Sequence, residues 1–473
     1  MKSPYRLLLV FFIILSGCST QNETRHLTLF FANDIHGQID NLAKVKHIVD
    51  LEKQHGPTVL VCSGDIFSGN PVIDQYKEKG YPIIDLMNQT GFAISTIGNH
   101  EFDYGITTLK NRLNQSKFEW LCANADLKNA GIDSLPAYKT ITIAGVNITF
   151  LGLLETNGKL NDSIPSTHPW KIKGALFQRP ETVVPKYANL KSQENSDLYI
   201  ALTHLGFCYK EDVLSDCELA KKHPYFDMII GGHSHEIIDT TINHIPIFQA
   251  GSYLNYLGKI TLTIKDKKID SLHYEKIDLN KYTGIDQELQ AQIEHYNHLP
   301  YLQEVVGTAK GHQTKSDVGC FYADALKTQM NVDIAFQNTG GVRSDLDDGE
   351  ITKREIFEIA PFNNGTVIYE MTVSQIKTFL KESKSGFYYA GPHIEQKGKT
   401  ITFTNVKGEQ IPDTTTLKVG LNDYIPAVHE SFFPTQGNVQ DKTASETLIS
   451  YLKSIQKPIN YQGCKHYFKY QLN

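Results

Sequence analysis

Residues 26–37 read HLTLFFANDIHG. The LTLFFA run at 27–32 is apolar without alternation and too short for an average helix. It predicts a strand buried on both faces, and it breaks off into Asn33-Asp34-Ile35-His36. The same pattern repeats outward along the chain. TVLVC (58–62) runs into Ser63-Gly64-Asp65, AISTI (93–97) into GNHEFD (98–103), DLYIALT (197–203) into His204, and FDMIIG (226–231) into Gly232-His233-Ser234-His235. Further runs of this kind are ITFLGLL (148–154), IPIFQA (245–250) and KITLTI (259–264), with helical patterns at 41–53 and 106–114 between them. Short buried strands alternating with helices predict a layered α/β domain over residues 26–277.

A linker helix is expected at 284–300. Leu289, Ile293 and Tyr296 recur at helical spacing, Asp286 suits the N-cap, and Pro300 ends the pattern. A second, α+β domain is expected from 301 to 473. Its helices are announced by capping boxes, Thr352 with Glu355, Thr372 with Gln375 and Thr443 with Glu446. Its strand-like runs are DIAFQ (333–337), TVIYEM (366–371), TITFTNV (400–406) and TLKVGLN (416–422).

Composition excludes several classes. The 473 residues carry a net charge of −6, with 40% hydrophobic and 21% charged residues, which is globular rather than disordered usage. No basic excess exists to displace counterions from nucleic acid, so no nucleic-acid partner is expected. Lys2 and Arg6 precede an apolar stretch at 7–15 that is too short to cross a bilayer, which needs about 20 residues. Residues 1–17 therefore read as an export signal. Leu15-Ser16-Gly17-Cys18 resembles the bacterial lipoprotein cleavage box, which makes Cys18 the expected lipidation site and a lipid anchor the expected membrane attachment. The expected location is the cell envelope, in the outer membrane facing the periplasm or the cell surface. Export permits disulfides; Cys208 and Cys217 are the expected pair, whereas Cys62 reads as a buried small hydrophobe. No CxxC is present to make a thiolate zinc site.

The strand-end residues carry the chemistry. In open α/β sheets the ligand crevice lies beyond the strand C-termini. A lone Asp-x-His or a single histidine is weak evidence of a ligand, but five loops in order deliver Asp34, His36, Asp65, Asn99, His204, His233 and His235 to one place. Seven oxygen and imidazole donors exceed the three or four that one tetrahedral ion needs. They fit two divalent cations about 3.5–4 Å apart with a bridging carboxylate.

DIHG, GDIFSG, GNHEFD, THLG and GGHSH, in that order, resemble the metallophosphoesterase domain of the 5′-nucleotidase and UDP-sugar hydrolase family. NTGGVRSDLDDGEIT (338–352) followed by APFNN (360–364) resembles the C-terminal domain of that family. The resemblance implies that Asp34, His36, Asp65 and His235 hold one metal, and that Asp65, Asn99, His204 and His233 hold the other. It implies a catalytic pair, His100 and Asp103. It also implies a substrate pocket of Asn338, Gly340, Gly341, Arg343, Phe362, Asn364 and Tyr424, with Phe362 and Tyr424 clamping a nucleobase. The chain departs from the family after Tyr424, where IPAVHE (425–430) replaces a Gly-Gly-Asp run and puts Glu430 at the aspartate's place. Thr314, Lys315 and Asp317 stand where further substrate arginines are expected.

The expected function is metal-dependent removal of phosphate from nucleoside 5′-monophosphates through a two-metal-activated water, with zinc, manganese, cobalt or magnesium as cofactor. UDP-sugar diphosphohydrolase, 2′,3′-cyclic-nucleotide phosphodiesterase and a related hydrolase of sulfur compounds are alternatives that the same centre could serve. A non-catalytic envelope lipoprotein that captures a phosphoryl ligand is the alternative outside enzymes.

Overall fold

The computed structural model describes residues 24–133, 135–158, 163–208, 213–433 and 436–471. The expected leader and Cys18 lie outside the described residues. Two six-stranded sheets form the N-terminal part. In spatial order the first contains Lys268–Asp278, Tyr256–Lys265, Arg25–Ala32, Thr58–Cys62, Ile94–Thr96 and Glu119–Leu121. The second contains Ile237–Ile242, Ile245–Ala250, Met228–Ile230, Leu198–His204, Val146–Leu154 and Tyr138–Ile143. Four neighbouring strands in each sheet are parallel; two antiparallel strands extend the first sheet at one end, and one closes each edge of the second.

The sheets stack face to face. Leu29, Phe31, Val61, Ile200, Ile230 and Ile260 fill the layer between them, whereas Phe30 and Leu60 point outward into a core shared with Leu42–Lys53 and Tyr81–Thr90. Both faces of these strands are thus buried, which is why their sequence lacks alternation. The edge strand Lys268–Asp278 is different. Its residues alternate between exposed and half-buried, so it carries no apolar run to read.

The helix Gln287–Asn297 follows, with the Asp286 side chain accepting from the Leu289 N–H as expected. Tyr296 hydroxyl donates to Asp85 (2.9 Å) and Gln292 pairs with Gln89, which fixes the linker to the first layer of helices. A third six-stranded sheet runs Asn438–Thr443, Gly365–Thr372, Thr416–Asn422, Ile334–Asn338, Gly386–Ala390 and Tyr467–Lys469. The fold is a two-domain α/β architecture. All three expected capping boxes form, and Thr314 with Asp317 makes a fourth, at the start of Lys315–Gln329. Thr314 and Asp317 are therefore occupied in starting a helix.

In the third sheet Ile334–Asn338 and Thr416–Asn422 are adjacent and parallel, so their C-termini deliver the 338–343 loop and Tyr424 to one edge. Gly365–Thr372 is antiparallel to Thr416–Asn422 and begins at that same edge, which brings Phe362 and Asn364 there as well. The Cys208–Cys217 bridge is present. A second, Cys320–Cys464, joins positions 144 residues apart and gave no sequence signal, since long-range pairing cannot be read from spacing. Cys62 and Cys122 are free and buried.

Candidate metal centre

The strand-end loops of the two stacked sheets interlock before any side chain is considered. Asp34 N–H donates to Gly64 O (3.0 Å), His36 N–H to Asp65 O (2.9 Å) and Gly37 N–H to Ile66 O (2.7 Å). The buried Glu101 carboxylate accepts from the N–H groups of Asp65 (3.0 Å), Ile66 (2.6 Å) and Gly98 (2.6 Å), which ties the second loop to the third. Asp34, His36, Asp65, His233 and His235 all have φ between 51° and 79°. Five non-glycine residues in the left-handed region of one site is a concentration of strain of order 1–3 kcal/mol each, which the surrounding packing must hold.

The side chains converge. His36 Nε2 is 3.0 Å from His235 Nε2 and 3.9 Å from Asp65 Oδ2. His204 Nε2 is 3.0 Å from Asp65 Oδ2 and 4.0 Å from Asp34 Oδ1, and His235 Nε2 is 3.4 Å from Asp34 Oδ1. His233 Nδ1 is 3.0 Å from Asn99 Oδ1, and its backbone N–H donates to the Asp34 carboxylate (2.9 Å). Three sets of donors, Asp34–His36–His235, Asp65–His204–His233 and His36–Asp65–His100, each lie within 4.8 Å of one another. Asp65 belongs to two of these sets.

The surroundings orient the rings. His36 Nδ1–H donates to Ser68 O (2.9 Å) and His204 Nδ1–H to Ser63 O (2.7 Å), which turns Nε2 of each ring inward. His204 Nε2 is fully buried without hydrogen-bond geometry to any described group. Glycine is needed at 98, where a Cβ would come within 2.3 Å of Asp65 Oδ1. Burial pushes the Asp34 carboxyl up to about 7. Burial would also raise Asp65, but His204 and His100 outweigh it and hold it well below the usual range. Burial drives His233 down to about 3 and His235 to about 4. Buried carboxylates, inward-facing imidazole lone pairs and an orphaned Nε2 fit a divalent cation site of oxygen and nitrogen ligands.

Beside this cluster, His100 Nδ1 bonds Asp103 Oδ2 at 2.6 Å, and its Nε2 lies 3.9 Å from Asp65 Oδ2. Burial opposes the charged His100, yet Asp103 and Asp65 raise it to about 9. Its ring stacks on Phe362 of the second domain (5.7 Å between centroids, 13° between planes), and the Arg343 guanidinium lies over that same ring at 5.6 Å.

A cavity of about 480 Å³ opens here, lined on one side by Asp65, Asn99, His100, Asp103, His233 and His235. Its other side is Asn338, Gly340, Gly341, Arg343, Phe362, Asn364 and Tyr424. All seven expected pocket residues thus share one cavity with the expected catalytic pair. Asp34 and His204 lie fully buried behind its wall, and His36 is almost so.

Sequence reasoning missed the segment 166–171, which also lines the cavity. Ser166 O accepts from Asn99 Nδ2 (3.1 Å) and Thr167 hydroxyl donates to Asp103 (3.2 Å). His168 Nε2 is 3.1 Å from Asp423 Oδ1 and Lys171 Nζ donates to Phe362 O (2.7 Å), so the segment bridges the domains. It follows no apolar run, which removes the signal that marked the metal loops. Glu430 is exposed and outside the cavity; Asp423 is outside its lining too, and bonds His168, which lines it.

The chain matches the calcineurin-like phosphoesterase family over residues 27–236 and the 5′-nucleotidase C-terminal domain over residues 302–435. Endonuclease YhcR of Bacillus subtilis is 25% identical over 498 residues, covering 92% of this chain and 40% of the relative. The chain thus spans less than half of that relative's length. The 5′-nucleotidase of Vibrio cholerae is 25% identical over 466 residues, 83% of each protein. Among solved structures, the 5′-nucleotidase precursor from Thermus thermophilus has a TM-score of 0.75 at 19% identity, covering 91% of this chain and 96% of that one. The sulfate thiohydrolase SoxB of Thermus thermophilus has a TM-score of 0.71 at 13% identity, covering 93% and 97%. These two likenesses establish the fold alone. Domain match and donor cluster together mark residues 27–236 as a calcineurin-like phosphoesterase domain. The chain joins that domain to a match for the 5′-nucleotidase C-terminal domain.

Proposed function

We propose that the protein is an exported, lipid-anchored phosphohydrolase that removes phosphate from nucleoside 5′-monophosphates. The observation that carries this reading is the single cavity whose two walls come from different domains. One wall holds the donor cluster and His100; the other holds Arg343, Phe362 and Tyr424. Its volume suits a small ligand with a polar end and an aromatic end.

Asp34, His36, Asp65 and His235 would hold one divalent ion, and Asp65, Asn99, His204 and His233 the second, with Asp65 shared. When bound, the two ions would supply an activated water and neutralise charge on the phosphoryl oxygens. His100, kept charged and oriented by Asp103, donates a proton or hydrogen bond to a phosphoryl or leaving oxygen. Arg343 has no carboxylate partner among the described residues, so its fork is open to a phosphate or carboxylate oxygen pair. Phe362 and Tyr424 offer ring faces to a base. The His168–Asp423 and Lys171–Phe362 bonds hold the two walls of the cavity against one another.

Two disulfides support an oxidising compartment, and the LSGC box at 15–18 supports the anchor. No described helix is long and apolar enough to cross a membrane. The test is phosphate release from a panel of purine and pyrimidine monophosphates with zinc, manganese, cobalt or magnesium, with and without a chelator. Metal-dependent release from several bases is expected; capture of nucleotide without release under every metal would refute the enzymatic reading.

A further inference from the structure

The chain leaves the strand Val146–Leu154 at Glu155 and meets the cavity at Ser166, Thr167 and His168. Those three consecutive residues each hold a different part of the site. Ser166 O accepts from Asn99 Nδ2 (3.1 Å), Thr167 hydroxyl donates to Asp103 Oδ1 (3.2 Å), and His168 Nε2 lies 3.1 Å from Asp423 Oδ1 of the second domain. Ser166 and Thr167 belong to no helix or strand, so no ladder of backbone bonds fixes them.

Glu155 fixes them instead. It is 1% exposed, and its carboxylate accepts from the Ser166 N–H (2.6 Å) through one oxygen and from the Asn157 N–H through the other. Its own N–H donates to His204 O (2.9 Å), continuing the parallel register that sets Leu154 beside His204. One residue thus links the strand that carries His204 to the turn that holds Asn99. Glu155 is in neither the cavity lining nor the donor sets, because both its oxygens are occupied with backbone N–H groups.

The turn decides how Asn99 faces. The two ends of a side-chain amide have the same shape, but only the oxygen can face a cation, so the partners of the amide set its direction. With Nδ2 donating to Ser166 O, Oδ1 lies 3.0 Å from His233 Nδ1, on the side of the donor cluster. Asp103 is likewise held at both oxygens, Oδ2 by His100 Nδ1 (2.6 Å) and Oδ1 by Thr167. We propose that Glu155 is a positioning residue for the site. Through the Ser166–Thr167 turn it keeps the Asn99 oxygen toward the ion that Asn99 would share with His204 and His233, and keeps Asp103 aligned on His100. The inference rests on the two-ion phosphohydrolase reading and adds to it a carboxylate that touches neither ion nor substrate.

The experiment is competition with a chromophoric chelator on the metal-loaded full chain, which reads the release of each ion, together with kcat and KM for AMP. Glu155→Gln keeps the size of the side chain but turns an NH2 group toward one of the two N–H groups. It is expected to loosen one ion about 10- to 100-fold, the cost of losing a group that orients a ligand, with the other changed by less than about threefold. Glu155→Asp keeps the carboxylate one methylene further back and should loosen the same ion by a smaller factor. Thr167→Val removes only the hydroxyl beside Asp103. It should keep both ions and lower kcat by about tenfold, with KM within about threefold. If the Glu155 variants loosened both ions alike, with a lowered thermal midpoint, Glu155 would only support the fold and the proposal would be overturned. Both ions held as in the wild type would overturn it as well, and an unchanged kcat in Thr167→Val would overturn its Asp103 arm. If the wild-type protein held two ions but released no phosphate from any nucleotide, the nucleotidase reading would fail and the ion competition would still decide the role of Glu155. A wild-type protein holding fewer than two ions would overturn both.

Discussion

Phe362→Ala separates base recognition from the chemistry, and the structure sets how the separation must be read. The ring does three things in the closed cavity. It lines the cavity, stacks on His100 at 5.7 Å, and lies under Arg343 at 5.6 Å. Removing it therefore cannot leave a base-free substrate untouched. Loss of the ring–ring contact, about 0.5–1.5 kcal/mol, corresponds to a factor of roughly 2–13 in the placement of His100. Loss of the Arg343 contact adds about 0.5–1 kcal/mol at most. Both losses fall on any phosphoester. Base stacking is worth roughly 1–3 kcal/mol more, a factor of about 5–150, and falls only on substrates with a base. The assay is kcat/KM for AMP and for ribose 5-phosphate, which shares the sugar and phosphate and lacks the base. Ribose 5-phosphate should lose about 5- to 70-fold through kcat, and AMP should lose a further factor of at least about 5, mostly in KM. Equal losses on the two substrates would show that Phe362 only packs against His100, and base stacking at this position would be refuted.

Four further outcomes follow from the same geometry. Asp65→Ala should abolish hydrolysis and metal binding together, because its carboxylate is within 3.0 Å of His204 and 3.9 Å of His36; two metals per chain by elemental analysis would contradict the shared ligand. His100→Asn should keep both metals and lose about 10²–10⁴ in rate, and undiminished turnover of AMP would reject its role. Replacing Cys320 and Cys464 should destabilise the protein more than replacing Cys208 and Cys217, about 5 against about 3 kcal/mol from loop closure across separations of 144 and 9 residues; the reverse order in urea unfolding would count against that account. Cys18→Ser should release the protein from the membrane fraction or block its processing, and a mutant still processed and membrane-bound would refute the anchor.

What was legible in the sequence has a common physical origin. Parallel strands buried on both faces leave unbroken apolar runs, and such strands carry ligands at their C-terminal ends. The Arg25–Ala32 run and the Asp34–His36 pair that follows it are therefore a single signal. The helix starts of the second domain were legible because a capping box is local, four residues long and chemically specific. Glu101 sat inside GNHEFD yet disclosed no role, since its work is to accept three backbone N–H groups that only the fold brings together. The left-handed backbone of Asp34, His36, Asp65, His233 and His235 was equally hidden, because nothing in those residue types demands it.

The least legible parts are those that join the domains, and this has a functional consequence. His168, Lys171 and Asp423 meet across 255 residues or fewer of intervening chain, and none stands in a motif. Metal donors must satisfy a fixed coordination chemistry, so their residue types and strand-end positions are narrowly constrained. A bridge between domains has only to hold two surfaces at a workable distance, and many side chains can do that. On the function proposed above, the reaction would be written in the first domain by constrained residues. The choice of substrate would then fall to unconstrained ones at the domain boundary, where Phe362 and Arg343 line two cavities at once.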